Sequence, residues 1–355
     1  MSQAISDDVM PYLHISLNIV ARTIISVVGM ASNLINMIIF AKLGLKDSMS
    51  VGLFSLSLTD FLVTGIQLAS CISFIIDLLC PNTSTDVRFL GYYTLAWATS
   101  ALYDVSCWIT AFVSAERCCC VVSPFKVKLV FTRCRCIVVT LTIYAIYIGM
   151  HVPIFIIDRM KSVETISLLG NSTTTGIKES MFSIILNPEI VIVEYILNFT
   201  AGVPMWFASQ AAVIVCAVWM GYSLETSSKV RHKTGSDSKT DRQLSVHSKH
   251  SSTLSNRERR LVNVVLVLAI TLTCCNIPTM ITTTVYYTFP GTSTYQQENL
   301  SSVLWALAYT FSTFGCSIGF VVYLKLNASY RREFDCLFRR YTPTSVTTIN
   351  NIIGN

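Results

Sequence analysis

Apolar residues fall in seven long runs along this chain, and polar residues gather between them. The runs cover 17–41, 51–77, 90–122, 136–157, 191–223, 261–288 and 300–325. Each reaches the roughly 20 residues an α-helix needs to cross about 30 Å of hydrocarbon. The third and fifth exceed that length, which allows tilt or projection beyond the bilayer. None is built of the alternating segments of about ten residues that make a membrane barrel. The pattern predicts an all-α membrane protein, a seven-transmembrane helix bundle over 17–325 with an N-terminal segment 1–16 before it. Residues 225–256 break the pattern. They are polar, basic and Ser/Thr-rich without periodicity, and predict a disordered loop. The Thr-rich tail 341–355 predicts the same.

Composition agrees. The chain of 355 residues is 52% hydrophobic and only 13% charged, with mean hydropathy +0.56. That charge fraction is about half the roughly 25% of soluble domains. Charge placement then sets orientation. Most of the 26 Lys and Arg follow the odd-numbered runs. They include Lys42 and Lys46, then Lys126, Lys128, Arg133 and Arg135, then the group from Lys229 to Arg260, and finally Lys325, Arg331, Arg332, Arg339 and Arg340. By the positive-inside rule the N-terminus is expected outside and the C-terminus in the cytosol, in a multi-pass plasma-membrane protein. Residues 1–16 hold Asp7 and Asp8 but no Lys or Arg, so the first span is expected to serve as its own insertion signal. Of the sequons, Asn82 and Asn171 fall in expected outer loops and are candidate glycosylation sites. Asn299 lies close to the membrane. Asn198 falls within a span and Asn327 in the cytosol.

The 13 cysteines do not form a disulfide framework. Most lie in the spans or at their cytosolic ends, and loop 158–190 has none.

Polar residues inside the spans carry the functional signal, because charge in hydrocarbon is costly and is usually retained for a role. Asn33 sits in GMASNLINMIIF and Asp60 in LFSLSLTDFL, and the two are expected to be neighbours facing the bundle interior. A protonated structural Asp60 is the plainer alternative. In AERCCCVVSPF, Glu116 and Arg117 close the third span, and Glu258 opens the sixth in SNRERRLVNVV. Three charges on two helix ends can form an Arg-centred network that holds the helices together and releases them, a bistable element. The plainer alternative is an ion pair snorkelling at the interface. Pro204 and Pro278 each remove a backbone hydrogen bond and kink their spans.

With these motifs in view, the chain resembles a rhodopsin-like (class A) G-protein-coupled receptor over roughly 17–340. The resemblance rests on GMASN with Asn33, LSLTD with Asp60, ERC at 116–118, SPFKV at 123–127, Pro204, CNIP at 275–278, GFVVY at 319–323 and ASYRREF at 328–334. It implies a ligand, peptide or small molecule, bound in the outer half, and a heterotrimeric G protein engaged inside. It implies a switch of Glu116, Arg117, Glu258, Asn276, Pro278 and Tyr323, with Arg117 freed on activation and Glu258 its resting partner. It also implies a short amphipathic helix over 326–340, within which Cys336, just after ASYRREF, is a candidate for palmitoylation. Arrestin and kinases are expected to act through 225–256 and the tail.

The departures from the family pattern are specific. Tyr92 replaces the usual cysteine, so no disulfide tethers loop 158–190. Asn276 replaces a tryptophan, Gly319-Phe320 an Asn-Pro, and Ala212 a tyrosine. Similar departures occur in divergent invertebrate branches, of the FMRFamide-receptor type and among molluscan chemosensory receptors. Thr313 stands where a retinal-binding lysine would be, and Thr99 where amine receptors place an aspartate. Asp104, about 20 Å above Arg117 at 1.5 Å per residue, and Glu194 are candidates to favour a cationic ligand group, with helix packing as the alternative. Arg22 and Asp77 are candidates to pair, as structure or as pocket wall.

Other classes fit less well. No repeated halves point to a transporter, and no filter segment to a channel. No paired catalytic set points to an intramembrane enzyme, so no enzymatic activity is expected. No cofactor, metal or nucleic-acid signature is present. The nearest different class is an odorant-receptor-like channel with its N-terminus inside, which glycosylation at Asn82 would exclude.

Overall fold

The computed structural model describes residues 5–80, 87–122, 127, 129–157, 160–166, 178–184, 196, 203–237, 256–288 and 298–339; side chains are not described for 87–90, 92–93, 157, 160–166, 178–184, 224, 227–237, 256–258, 286–288, 298 and 338–339.

Seven helical rods are long and apolar enough to cross a membrane. The first, α1 (Met10–Leu43), contains a π-helical stretch at Ile15–Ala21. Gly44 ends it with φ 89°, a left-handed conformation that favours glycine. The turn through Asp47 is short, so α2 (Ser48–Leu79) runs back antiparallel. Then follow α3 (Val87–Val122), α4 (Arg133–Ile157), α5 (Val203–Asp237) and α6 (Asn256–Thr288). The seventh rod is α7 (Glu298–Ser317) continued, after a break at Ile318, by α8 (Gly319–Leu326). A final helix, α9 (Ala328–Arg339), is strongly amphipathic. It starts where the Asn327 side chain accepts the Tyr330 N–H at 3.2 Å, an N-cap.

Lipid-facing surfaces are read from exposure. Val138, Leu141, Val218, Trp219 and Ile270 are all more than half exposed, which in water would be an unusually large apolar patch. Inside, α3 is the most enclosed span, with 56% of its central window buried against 17% for α4. Around Val113 in its lower half pack Ile39, Phe40, Leu53, Met220, Val265 and Tyr323. The starts of α2, α4 and α6 and the ends of α1, α3, α5 and α8 gather at one end, here the basic end. The Cys136 thiol bonds the Ser48 carbonyl there, and Tyr330 of α9 reaches Asn36 of α1 at 2.6 Å. At the opposite end Asn299 donates to Asp7 at 2.7 Å.

The seven-helix, all-α bundle expected from the apolar runs is present, with three differences of extent. The first helix begins at Met10, so part of the expected N-terminal segment 1–16 is helical. Residues 225–237, expected to be disordered, continue α5. Extending an existing helix skips the costly nucleation step, and no proline interrupts this stretch. Residues 238–255 lie outside the described residues. Within loop 158–190, β1 (Met160–Ile166) and β2 (Lys178–Ile184) pair antiparallel with Val163 opposite Met181, a hairpin that the sequence pattern did not predict.

Candidate functional site

At the basic end of α3, Arg117 and Glu116 are both buried. Their side chains are 10% and 3% exposed, and an Arg117 Nη2–Glu116 Oε1 bond of 2.8 Å joins them. The pair is half satisfied: Glu116 Oε2 and Arg117 Nε have no hydrogen-bond partner among the described residues. Buried charges with open valences are costly to hold and readily re-partnered. Glu258 lies on the first turn of α6, but its side chain is outside the described residues, as are the loop residues 123–126.

Above this pair runs a polar chain. Asp60 Oδ1 accepts from Ser106 Oγ at 2.6 Å. Asn33 Nδ2 donates to the Cys316 carbonyl at 2.9 Å and its Oδ1 accepts from Asn36 at 3.2 Å. Asn33 and Asp60 have separate hydrogen-bond partners but converge on Cys316, whose thiol also meets Asp60. Asn36 carries the chain on to the Tyr330 hydroxyl. Tyr323, 1% exposed, packs edge-on to Phe40 at 5.0 Å and tilted against Tyr330 at 5.6 Å. Gly319 lies beside it: a Cβ there would sit 3.5 Å from the Tyr323 ring, an ordinary contact.

Midway along, Asn276 on α6 is fully buried and accepts from the Tyr103 hydroxyl of α3, while its amide meets Cys107 Sγ at 3.9 Å. The link joins α3 to α6 two residues before Pro278, where a swing of α6 would hinge. Tyr103→Phe would strand the Asn276 carbonyl oxygen. The expected result is a loss of about 1–3 kcal/mol of stability, read as a lower melting temperature of the purified chain. Asn276→Leu in the same background should recover most of that loss, because both partners are then apolar.

At the opposite end Arg22 is buried and donates to Gln67 at 3.5 Å and to Asn18 at 2.5 Å, with its guanidinium 5.5 Å from the Tyr309 ring centroid. Asn18 in turn meets His14 at 2.8 Å, and His14 meets Ser302 at 3.3 Å. The π-helical stretch of α1 carries Asn18 into this network, a kind of bulge often found at functional sites. Arg22 thus faces Gln67, almost three helix turns from Asp77 on α2. Asp77 is half-buried, and Thr99 is buried on α3. Asp104 is half-buried on the same helix, within electrostatic reach of Tyr147 on α4. Glu194, Asn82 and Asn171 lie outside the described residues, so Asp104 and Glu194 are not seen together. Cys336 is exposed on α9. Among the described residues no group of His, Cys, Asp or Glu is placed to hold a metal ion.

The arrangement is that of a multi-pass, seven-helix membrane bundle with a polar spine reaching from one end to the other. No family model matches the chain, and no curated protein matches it. Sequence reasoning missed Ser106, Tyr103, Cys316, Gln67 and Tyr330 as partners. One signal was available: a buried Asn in an apolar helix, such as Asn276, requires a partner on a neighbouring helix.

Proposed function

We propose that the chain is a rhodopsin-like G-protein-coupled receptor in the plasma membrane, with its N-terminus outside and its basic end in the cytosol. The observation that carries this reading is the buried, half-satisfied Arg117–Glu116 pair at the basic end of the central helix. A guanidinium held there by a single carboxylate oxygen can turn from its neighbour to an incoming partner when α6 swings, and the incoming partner is a Gα subunit. The ligand, a peptide or a small chemosensory molecule, enters at the Arg22 end and acts on α6 through the Tyr103–Asn276 link. Asp104, Glu194 and Thr99 are the residues assigned to ligand contact with Arg22 and Asp77. Glu258 is assigned as a second resting partner of Arg117. Glycans at Asn82 and Asn171, palmitoylation of Cys336, and arrestin and kinase action on 225–256 and the tail complete the reading. No catalytic step is assigned to the chain.

The test is direct. Arg117→Ala, expressed at the wild-type surface level, should abolish activation across a panel of Gα sensors. Wild-type signalling that survives this change would refute the assignment of Arg117, and an unglycosylated Asn82 in a surface-exposed protein would refute the orientation.

A further inference from the structure

A cleft of about 370 Å³ opens at the basic end, lined by Arg260, Asn263, Lys325, Leu326, Ala328 and Arg331. Three of these six are cations, one from the first turn of α6, one from the last turn of α8 and one from the first turn of α9. Among the described residues neither Arg260 nor Lys325 forms an ion pair. Arg331 is fixed in place: its Nε donates to the Leu324 carbonyl at 3.1 Å and its Nη2 to the Lys325 carbonyl at 2.7 Å. Those carbonyls close α8, so the guanidinium caps a helix C-terminus and its remaining N–H donors stay available to a ligand.

A second hollow of about 400 Å³ shares Lys325 and Arg331 and adds Leu324, Phe334 and Asp335. Among the described residues Asp335 is the single acid in the combined lining, against three cations. Leu324 and Phe334 give the second hollow an apolar wall beside the charged one.

Depth decides what such a site meets. The sixth span starts at Arg259 and the seventh ends at Leu326, so the cleft lies where the hydrocarbon of the bilayer gives way to headgroups. A group bound there has phosphate at the level of the cations and an acyl chain along the apolar wall. Three converging cations also exceed what a headgroup of single net charge would balance.

We infer that the cleft between α6, α8 and α9 holds the headgroup of a phosphoinositide carrying two or more ring phosphates. Arg260, Lys325 and Arg331 contact the phosphates, Asn263 donates a further hydrogen bond, and Leu324 and Phe334 lie along the lipid tail. The lipid would bridge the start of α6 to α9 and restrain the helix that must swing. The site requires only that the chain sits in a bilayer. It is independent of any G protein, so loss of lipid binding and loss of signalling are separable results.

The experiment uses the full chain, purified in detergent and incubated with equal amounts of phosphatidylinositol bisphosphate, phosphatidylserine and phosphatidylcholine. Bound lipid is counted by native mass spectrometry. The bisphosphate lipid should dominate, and Arg260→Gln/Lys325→Gln should lower its occupancy on the order of ten-fold, with an unchanged melting temperature showing that the variant is folded. Arg332→Gln, an exposed cation of α9 outside the lining, should leave occupancy unchanged. Four results would overturn the site: equal retention of phosphatidylserine, unchanged binding in the double variant, an equal loss with Arg332→Gln, or full displacement by equimolar soluble inositol trisphosphate. The last would show a soluble phosphate site with no part for the tail. Displacement of the lipid by a peptide copy of a Gα C-terminus that binds equally well without lipid would assign the cleft to protein instead.

Discussion

If the chain is the receptor proposed, Glu116→Gln should raise ligand-independent Gα activation about two- to thirty-fold at matched surface level. The reasoning starts from the 2.8 Å bond between Arg117 and Glu116, two side chains almost wholly removed from solvent. A hydrogen bond to a charged group contributes about 1.5–3 kcal/mol, a neutral one about 1 kcal/mol. Glutamine keeps the acceptor oxygen and the side-chain length but loses the charge, so the resting arrangement gives up about 0.5–2 kcal/mol, and 1.4 kcal/mol is a factor of ten in an equilibrium. The charge lost works in the same direction: once Arg117 turns away, a Glu116 carboxylate is left as an unpaired buried anion, and glutamine removes that cost from the released state. Adding Glu258→Ala should raise basal activity further if that acid also holds Arg117. Basal activation is read by Gα biosensors against surface label. Basal signal that stays at the wild-type value in both variants, with Arg117→Ala still inactive, would show that the pair sets structure and does not restrain a switch.

The bundle itself was legible because crossing a bilayer imposes a length and a composition that few other folds share, and each of the seven apolar runs holds a spanning-length helix among the described residues, the fifth from Val203 on, most of 191–202 lying outside them. Boundaries drifted at the ends, where backbone continuation is decided locally. The α5 helix runs on to Asp237 through a polar stretch that composition marks as unstructured. The hairpin of Met160–Ile166 and Lys178–Ile184 escaped because its strands carry mixed polar residues and no two-residue turn signal joins them. At the site, residues that are rare in hydrocarbon could be picked out singly: Asn33, Asp60, Arg117 and Asn276 are all buried. Their partners could not. Serine, tyrosine and cysteine are common in membrane helices, and which of them faces a given acid depends on helix rotation, which one sequence does not set. Asp60 meets Ser106 and Cys316 for that reason, and Arg22 meets Gln67 and Asn18 on its own and the next helix.

The largest loss of stability is expected at Gly29. A Cβ on this residue would lie 2.3 Å from Ser317 Oγ, 2.7 Å from Thr64 Cγ2 and 3.2 Å from Ser317 Cβ. Three helices, α1, α2 and α7, therefore touch through a position that carries no side chain, the packing that small residues give to membrane helices. Neither neighbour is free to turn away. Ser317 Oγ donates toward the Thr313 carbonyl at 2.7 Å and the Ile25 carbonyl at 3.2 Å, and Thr64 Oγ1 toward the Asp60 carbonyl at 2.8 Å, which fixes where its methyl points. Gly29→Ala should cost about 1–3 kcal/mol through overpacking, and Gly29→Leu more, read as a fall in melting temperature and in surface level. Helix propensity acts the other way by up to about 1 kcal/mol. Gly65→Ala, whose Cβ would meet only Met30 at 3.8 Å, is therefore a control that should hold or gain stability. Thr64→Ser removes the methyl and keeps the hydroxyl, so it should restore part of what Gly29→Ala loses, the Ser317 contact remaining. A Gly29→Ala protein as stable as the wild type, or one that Thr64→Ser leaves unchanged, would show that α1 is not clamped at this point. The consequence for signalling follows from position: Asn33 lies one turn along α1 from Gly29, and its 2.9 Å bond to the Cys316 carbonyl holds α7 at the distance where the Cys316 thiol meets Asp60. Pushing α1 and α7 apart at Gly29 loosens that contact before it loosens the switch at Arg117, so ligand-driven activation should weaken in Gly29→Ala even in the fraction that reaches the surface folded.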